Sequence, residues 1–204
     1  MKSLPFLSID VETTNEWKPV ARSPIQNLQQ TLGAQFATRD GWDLAISFPN
    51  EETVLKTVGI IELPHLGKLE IRGAGTQPKQ NVLWYQITPK RALCVTHSSD
   101  TRDVRTELEK SARTVTDISA GLGSIALIGP RVNEMLRRLT ELRKFPASGI
   151  VCHLHGHLLP IKNGFLFIFP QEYGQYIYDT LLDAAIPFSG GPVGLDMLLP
   201  GEIW

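Results

Sequence analysis

Cysteine is nearly missing from this chain, with two in 204 residues, so a disulfide framework does not hold it together. Cys94 and Cys152 each sit inside an apolar run and are expected to be buried, reduced thiols. Charge of one sign is missing too. The formal net charge is −1, with acids and bases interspersed, and this excludes the basic surplus or stripe that marks nucleic-acid binders. Arg137, Arg138, Arg143 and Lys144 form the one basic cluster, read as the solvated face and C-terminal end of a helix, where cations suit the dipole. No run of about 18 apolar residues exists to cross a membrane. Met1 to Asp10, broken by Pro5, lacks the pattern of a signal peptide, so the expected compartment is the cytoplasm.

Familiar catalytic signatures are equally scarce. Gly121-Leu122-Gly123 lacks the third glycine of a dinucleotide fingerprint and does not open a helix. There is no phosphate-binding loop and no nucleophile elbow. No set of residues stands out as catalytic. The expectation is a domain that holds a ligand or a partner subunit and runs no reaction alone.

What is present is ordinary globular patterning. A chain of 204 residues can bury roughly 70% of its unfolded surface. Residues 1–22 are polar and aperiodic, read as an N-terminal arm, and 23–204 as a single domain. Ser23-Pro24 signals a helix start, with Ile25, Leu28 and Leu32 at helical spacing and Gly33 closing it. Trp42, Leu44, Ile46 and Phe48 alternate as in a half-buried strand. Residues 51–57 suit a short helix. Residues 67–73 read as a strand with one wet face, because Leu69 and Ile71 alternate with charges.

Strands at 82–87 and 92–96 are joined by a turn containing Pro89. Residues 98–112 form an exposed helix with Val104 and Leu108 as its stripe. Residues 114–118 and 124–128 read as a strand pair with Gly121 and Gly123 in the turn. Pro130 starts a helix with Val132, Met135, Leu136 and Leu139 inward. Strands follow at 149–155 and 158–162, and Asn163-Gly164 is a hairpin signal leading into 165–169. A last helix, 171–185, has Tyr173, Ile177, Leu181 and Leu182 as its apolar face, and 189–194 is a loop. The order β-β-α-β-β-β-α after residue 114 predicts an α+β fold with helices packed on mixed or antiparallel sheets.

Candidate ligand residues are few. His153, His155 and His157 alternate, and on one strand their imidazoles share a face, a weak candidate for a zinc or iron site. The blander reading is an exposed strand face with Leu154 turned inward. Trp42, Trp84 and Tyr85 could line a flat-ring site, although such residues are more often core. His65, between Pro64 and Leu66, reads by itself as a loop histidine.

Three stretches taken in order resemble one family. They are Ser23-Pro24 through Gly41-Trp42 to the segment Leu63–Gly73; Thr116–Ser119 with Ala126–Pro130 and its helix; and Asn163-Gly164 through the last helix to Gly194-Leu195-Asp196. Together they are similar to the folate-binding domain of the aminomethyltransferase (T protein) of the glycine cleavage system. The chain stops at Trp204 without the family's C-terminal barrel, and in size it resembles the gamma subunit of heterotetrameric sarcosine oxidase. Residues 82–95 also loosely resemble a strand pair of that subunit.

The resemblance implies ferredoxin-like halves and, as a possible cofactor, tetrahydrofolate, with flavin only in partner subunits. His65 and Asp196 match family positions and, with Trp84 and Tyr85, are the candidate ligand-binding residues. The departures count for more. Residues 74–80 carry no carboxylate where the family has its catalytic aspartate. Lys162 stands where a glutamate grips the pterin, and an ammonium has donors only. Glu62 and Pro64 replace an aspartate and a serine. The expected role is a non-catalytic, sarcosine-oxidase-gamma-like subunit of a heteromeric amine-oxidising or one-carbon complex, or a homo-oligomer. The alternative is a small tetrahydrofolate-dependent aminomethyl or methyl transferase or a folate-like carrier.

Overall fold

The computed structural model describes residues 19–73, 76–198 and 203; most of the expected N-terminal arm lies outside them. The elements in chain order are β1 (Ala21–Arg22), α1 (Gln26–Thr31), β2 (Gln35–Arg39), β3 (Trp42–Ser47), α2 (Glu51–Val54), β4 (Gly59–Glu62) and β5 (Gly67–Arg72). Then come β6 (Leu83–Thr88), β7 (Arg91–Thr96), α3 (Thr101–Leu108), β8 (Thr114–Asp117), β9 (Leu122–Ile128) and α4 (Val132–Leu139). The chain continues through β10 (Ala147–Val151), β11 (Leu154–Ile161), β12 (Gly164–Pro170), α5 (Gly174–Ala185) and β13 (Gly191–Pro192).

The strands build a six-stranded sheet, β10-β11-β12-β9-β4-β13, a four-stranded sheet, β6-β7-β5-β8, and a small sheet, β1-β3-β2. The four-stranded sheet has ferredoxin-like order, with no helix among the described residues between β5 and β6. In the larger sheet β11-β12-β9 and β13 keep that order, with β4 inserted.

Alternation along the central strands creates the layers. On β12, Phe165, Phe167 and Phe169 face α1, α4 and α5, while Leu166 and Ile168 face the other sheet. On β9, Ile125 and Leu127 take the helix side, and Ala126 and Ile128 the sheet side. A strand buried on both faces reads as one continuous apolar run, as this pair does. The four-stranded sheet presents Tyr85, Leu93 and Val95 to the same aliphatic layer, and Ile203 inserts there as well. Its outer face, with Leu69, Ile71, Ala92 and Cys94, is covered by Val104 and Leu108 of α3. The result is four layers, helices, sheet, sheet, helix, and the expected α+β class is what the chain adopts.

Several local expectations need correction. Residues 114–118 and 124–128 do not pair with each other. β8 joins β5 in one sheet and β9 joins β4 and β12 in the other, linked by a 3-10 turn at Ser119–Gly121. Gly123 lies inside β9, where a Cβ would strike the Phe169 ring. The strand expected at 149–155 is two strands folded at Cys152-His153, both in the left-handed region with φ of 51° and 65°. In the hairpin that follows, the two turn residues are Lys162 and Asn163, since Ile161 pairs with Gly164. Tyr173 is exposed, and Tyr178 takes its place in the core. Gly191-Pro192, expected as loop, adds a parallel strand to β4. β5 has no wet face: Lys68 and Glu70 point inward and are buried.

Candidate functional site

The densest buried chemistry gathers where β4 ends. The carboxylate of Glu62 accepts hydrogen bonds from the Ser23 hydroxyl and, at 3.0 Å, from Gln29 Nε2. Ser23 is not the N-cap expected of it: α1 starts at Gln26 behind Ile25, and the Ser23 oxygen accepts from the Ile25 amide at 3.1 Å in the turn that leads in. One turn later the chain reverses at Leu63–Leu66, and Lys68 comes back fully buried, its Nζ donating to the Pro64 carbonyl at 3.1 Å.

Burial raises the Glu62 carboxyl to about 7, against the opposing effect of Ser23, Gln29 and Lys68. Burial lowers the Lys68 ammonium to about 8, opposed by the charges of Glu62 and Asp117. Each thus opposes the effect of burial on the other, while their hydrogen bonds run to Ser23, Gln29 and the Pro64 carbonyl and not to one another. Tyr178 closes the cluster from α5, its phenol held well above the usual range by burial and by the charge of Glu62. Periodicity missed Lys68 and Glu70, because charged residues alternating with Leu69 and Ile71 look like a solvated face. Glu70 instead anchors Arg91 at 2.6 Å and Arg72 at 2.9 Å.

The four candidate ligand residues occupy separate surroundings. His65 sits in the β4–β5 turn. Burial lowers it to about 4, with Asp40 opposing and Lys68 and His97 reinforcing, so the imidazole is neutral at pH 7. Asp40 reaches this corner from the β2–β3 turn and accepts from the Ser98 hydroxyl at 2.7 Å. Trp84 and Tyr85 are consecutive on β6 and therefore point to opposite faces. Trp84 packs toward α3 and its indole N–H donates to Gln86 at 3.3 Å. Tyr85 belongs to the layer between the sheets, and its hydroxyl accepts from Ser148 Oγ at 3.0 Å. Asp196 is exposed and pairs with Arg39 at 2.5 Å.

The three histidines do not share a strand face. His153 occupies the turn, while His155 and His157 stand on β11 with ring centroids 5.9 Å apart. His157 Nδ1 lies 2.6 Å from Ser148 Oγ, completing a Tyr85–Ser148–His157 chain across the edges of the two sheets. Burial lowers His157 to about 4, helped by His155 and Arg91. Among the described residues no group of three or more His, Cys, Asp or Glu side chains is placed to hold a metal ion. Cys94 and Cys152 are free and buried, and burial raises both thiols to about 12. No helix among the described residues is long and apolar enough to cross a membrane.

The layered pair of sheets defines a class: the chain has the fold of the aminomethyltransferase T protein and of a sarcosine oxidase chain. The glycine cleavage system aminomethyltransferase T from Bartonella henselae matches with a TM-score of 0.68 at 15% identity, over 87% of this chain and 60% of that one. A chain of the heterotetrameric sarcosine oxidase from Corynebacterium sp. U-96 matches at 0.58 and 15% identity, over 85% of this chain and 98% of that one. In sequence, the aminomethyltransferase of Frankia alni is 25% identical over 157 residues, covering 58% of this chain and 43% of the relative. That of Mycobacterium bovis is 22% identical over 217 residues, covering 84% and 59%. The chain thus spans less than two thirds of the length of these curated relatives. No family model matches.

Proposed function

We propose that this chain is a non-catalytic subunit of a heteromeric amine-oxidising or tetrahydrofolate-linked one-carbon complex, resembling the gamma subunit of sarcosine oxidase. The observation that carries the reading is the lining of the cleft beside Lys162, the residue that the resemblance places where a glutamate grips the pterin. Lys162 is the single charged residue among the described residues that line it, so a ring with several N–H groups would find no carboxylate there to accept from it. The separation of His65, Trp84, Tyr85 and Asp196 into different surroundings supports it, as does the lack of a carboxylate in residues 74–80. In this reading the flavin chemistry belongs to partner subunits, and the chain works in the cytoplasm.

A second reading, a small tetrahydrofolate-dependent transferase or carrier, draws on Glu62, whose carboxyl titrates close to neutrality as a proton carrier's should. The two are separated by assaying the isolated chain with aminomethyl and methylamine donors in the presence of tetrahydrofolate. The subunit reading expects no turnover. Turnover that disappears in His65→Ala would overturn it in favour of the transferase.

A further inference from the structure

At the end of the six-stranded sheet, opposite the Glu62 corner, the β9–α4 connection and the β11–β12 turn, joined by a hydrogen bond from the Gly129 amide to the Asn163 carbonyl at 3.1 Å, border an open cleft of about 810 Å³. Its walls include Leu55, Ile128, Ile161, Phe165 and Met197. That volume lies in the range of about 300–1,000 Å³ typical of small-molecule sites, which are apolar with a few placed polar groups. Such groups are present here. Asn133, exposed on the first turn of α4, lines one side, and Lys162, exposed in the hairpin turn, lines the other.

Lys162 is the single charged residue among the described residues that line the cleft, and no ion pair holds it among the described residues. An ammonium offers three donors and no acceptor. Beside a wall of Leu, Ile, Phe and Met side chains it selects a molecule with an apolar body and one anionic group. A dianion would leave one charge against apolar walls, and a cation would meet Lys162 with like charge. The geometry points to a binding site for an amphipathic monoanion, such as an aromatic or branched aliphatic carboxylate or sulfonate, seated with its charge on Lys162. This inference does not rest on the subunit reading, since a subunit and a carrier would both present the cleft and binding there requires no catalysis.

The test uses two fluorescent probes with closely related aromatic skeletons, anilinonaphthalene sulfonate and the uncharged N-phenylnaphthylamine, titrated into the full chain. The anionic probe should bind with one-to-one stoichiometry and more tightly than the neutral one. Lys162→Glu should weaken the sulfonate by at least about five-fold, the scale of an exposed charge contact, and leave the neutral probe unchanged. Asn133→Trp, a change on an exposed position that fills the cleft, should abolish both while circular dichroism stays native. Equal affinity for the two probes, insensitivity of the sulfonate to Lys162→Glu, or survival of binding in Asn133→Trp would each overturn the assignment.

Discussion

Glu62 is carried by a strand, but the groups that hold it come from the segment leading into α1 and from α1 itself, so one carboxyl joins two parts of the chain through Ser23 and Gln29. Because burial raises its affinity for a proton, the folded chain keeps that proton up to about pH 7, while the unfolded chain releases it near 4.5. The contribution to stability is complete below about pH 4.5 and is lost as the pH rises through about 7. Glu62→Gln, which mimics the protonated side chain, should therefore be more stable than the parent above pH 7, by roughly 1–3 kcal/mol. The advantage should vanish toward pH 5. Urea denaturation across that pH range reads it directly, and parallel curves for the two proteins would show that the carboxyl is solvated when folded. None of this was legible from periodicity. Glu62 ends an apolar strand as a solvated residue would, and what buries it are Ser23 and Gln29, 39 and 33 residues away.

At the scale of single elements, local signals were read well and pairings less so. Strands β9 and β12 and helices α3, α4 and α5 are where the apolar spacing places them, since each buries a stripe or a face that the sequence writes out explicitly. The strand pair at 114–128 failed because neighbouring strands pair only about two-thirds of the time. Here the Ser119–Gly121 turn passes the chain from one sheet to the other. The fold at Cys152-His153 is not written in the sequence because it carries none of the Gly, Asn, Asp or Pro signals of a turn, and the apolar run Ile150–Cys152 leads straight into it. Glycine roles follow the same division. Gly164 was read as a turn residue, yet it is a strand residue whose Cβ would collide with the Leu127 carbonyl oxygen. Gly121, read the same way, faces open space. Gly164→Ala should cost more than about 2 kcal/mol, and Gly121→Ala should stay within about 0.5 kcal/mol of the parent. Chemical denaturation of the two variants side by side measures both, and similar losses would mean that the β9–β12 register is not as described.

For the whole molecule, the fold class is accessible because the order β-β-α-β-β-β-α holds from residue 114 onward, with β13 added after it. The way two sheets close on one aliphatic layer was not accessible, because period-2 alternation states that a strand has two buried faces without stating what covers each. The proposed roles differ at the cleft instead: a transferase needs acceptors for the N–H groups of its cofactor, whereas the cleft beside Lys162 is lined by no carboxylate among the described residues. Fold similarity to both kinds of protein leaves the choice to the site itself. Calorimetric titration of the purified chain with tetrahydrofolate addresses that choice at the site. The account predicts no saturable heat in the micromolar range, because Lys162 stands where a glutamate would accept from the pterin and no carboxylate lines the cleft among the described residues. Stoichiometric micromolar binding would contradict it and favour the transferase or carrier reading.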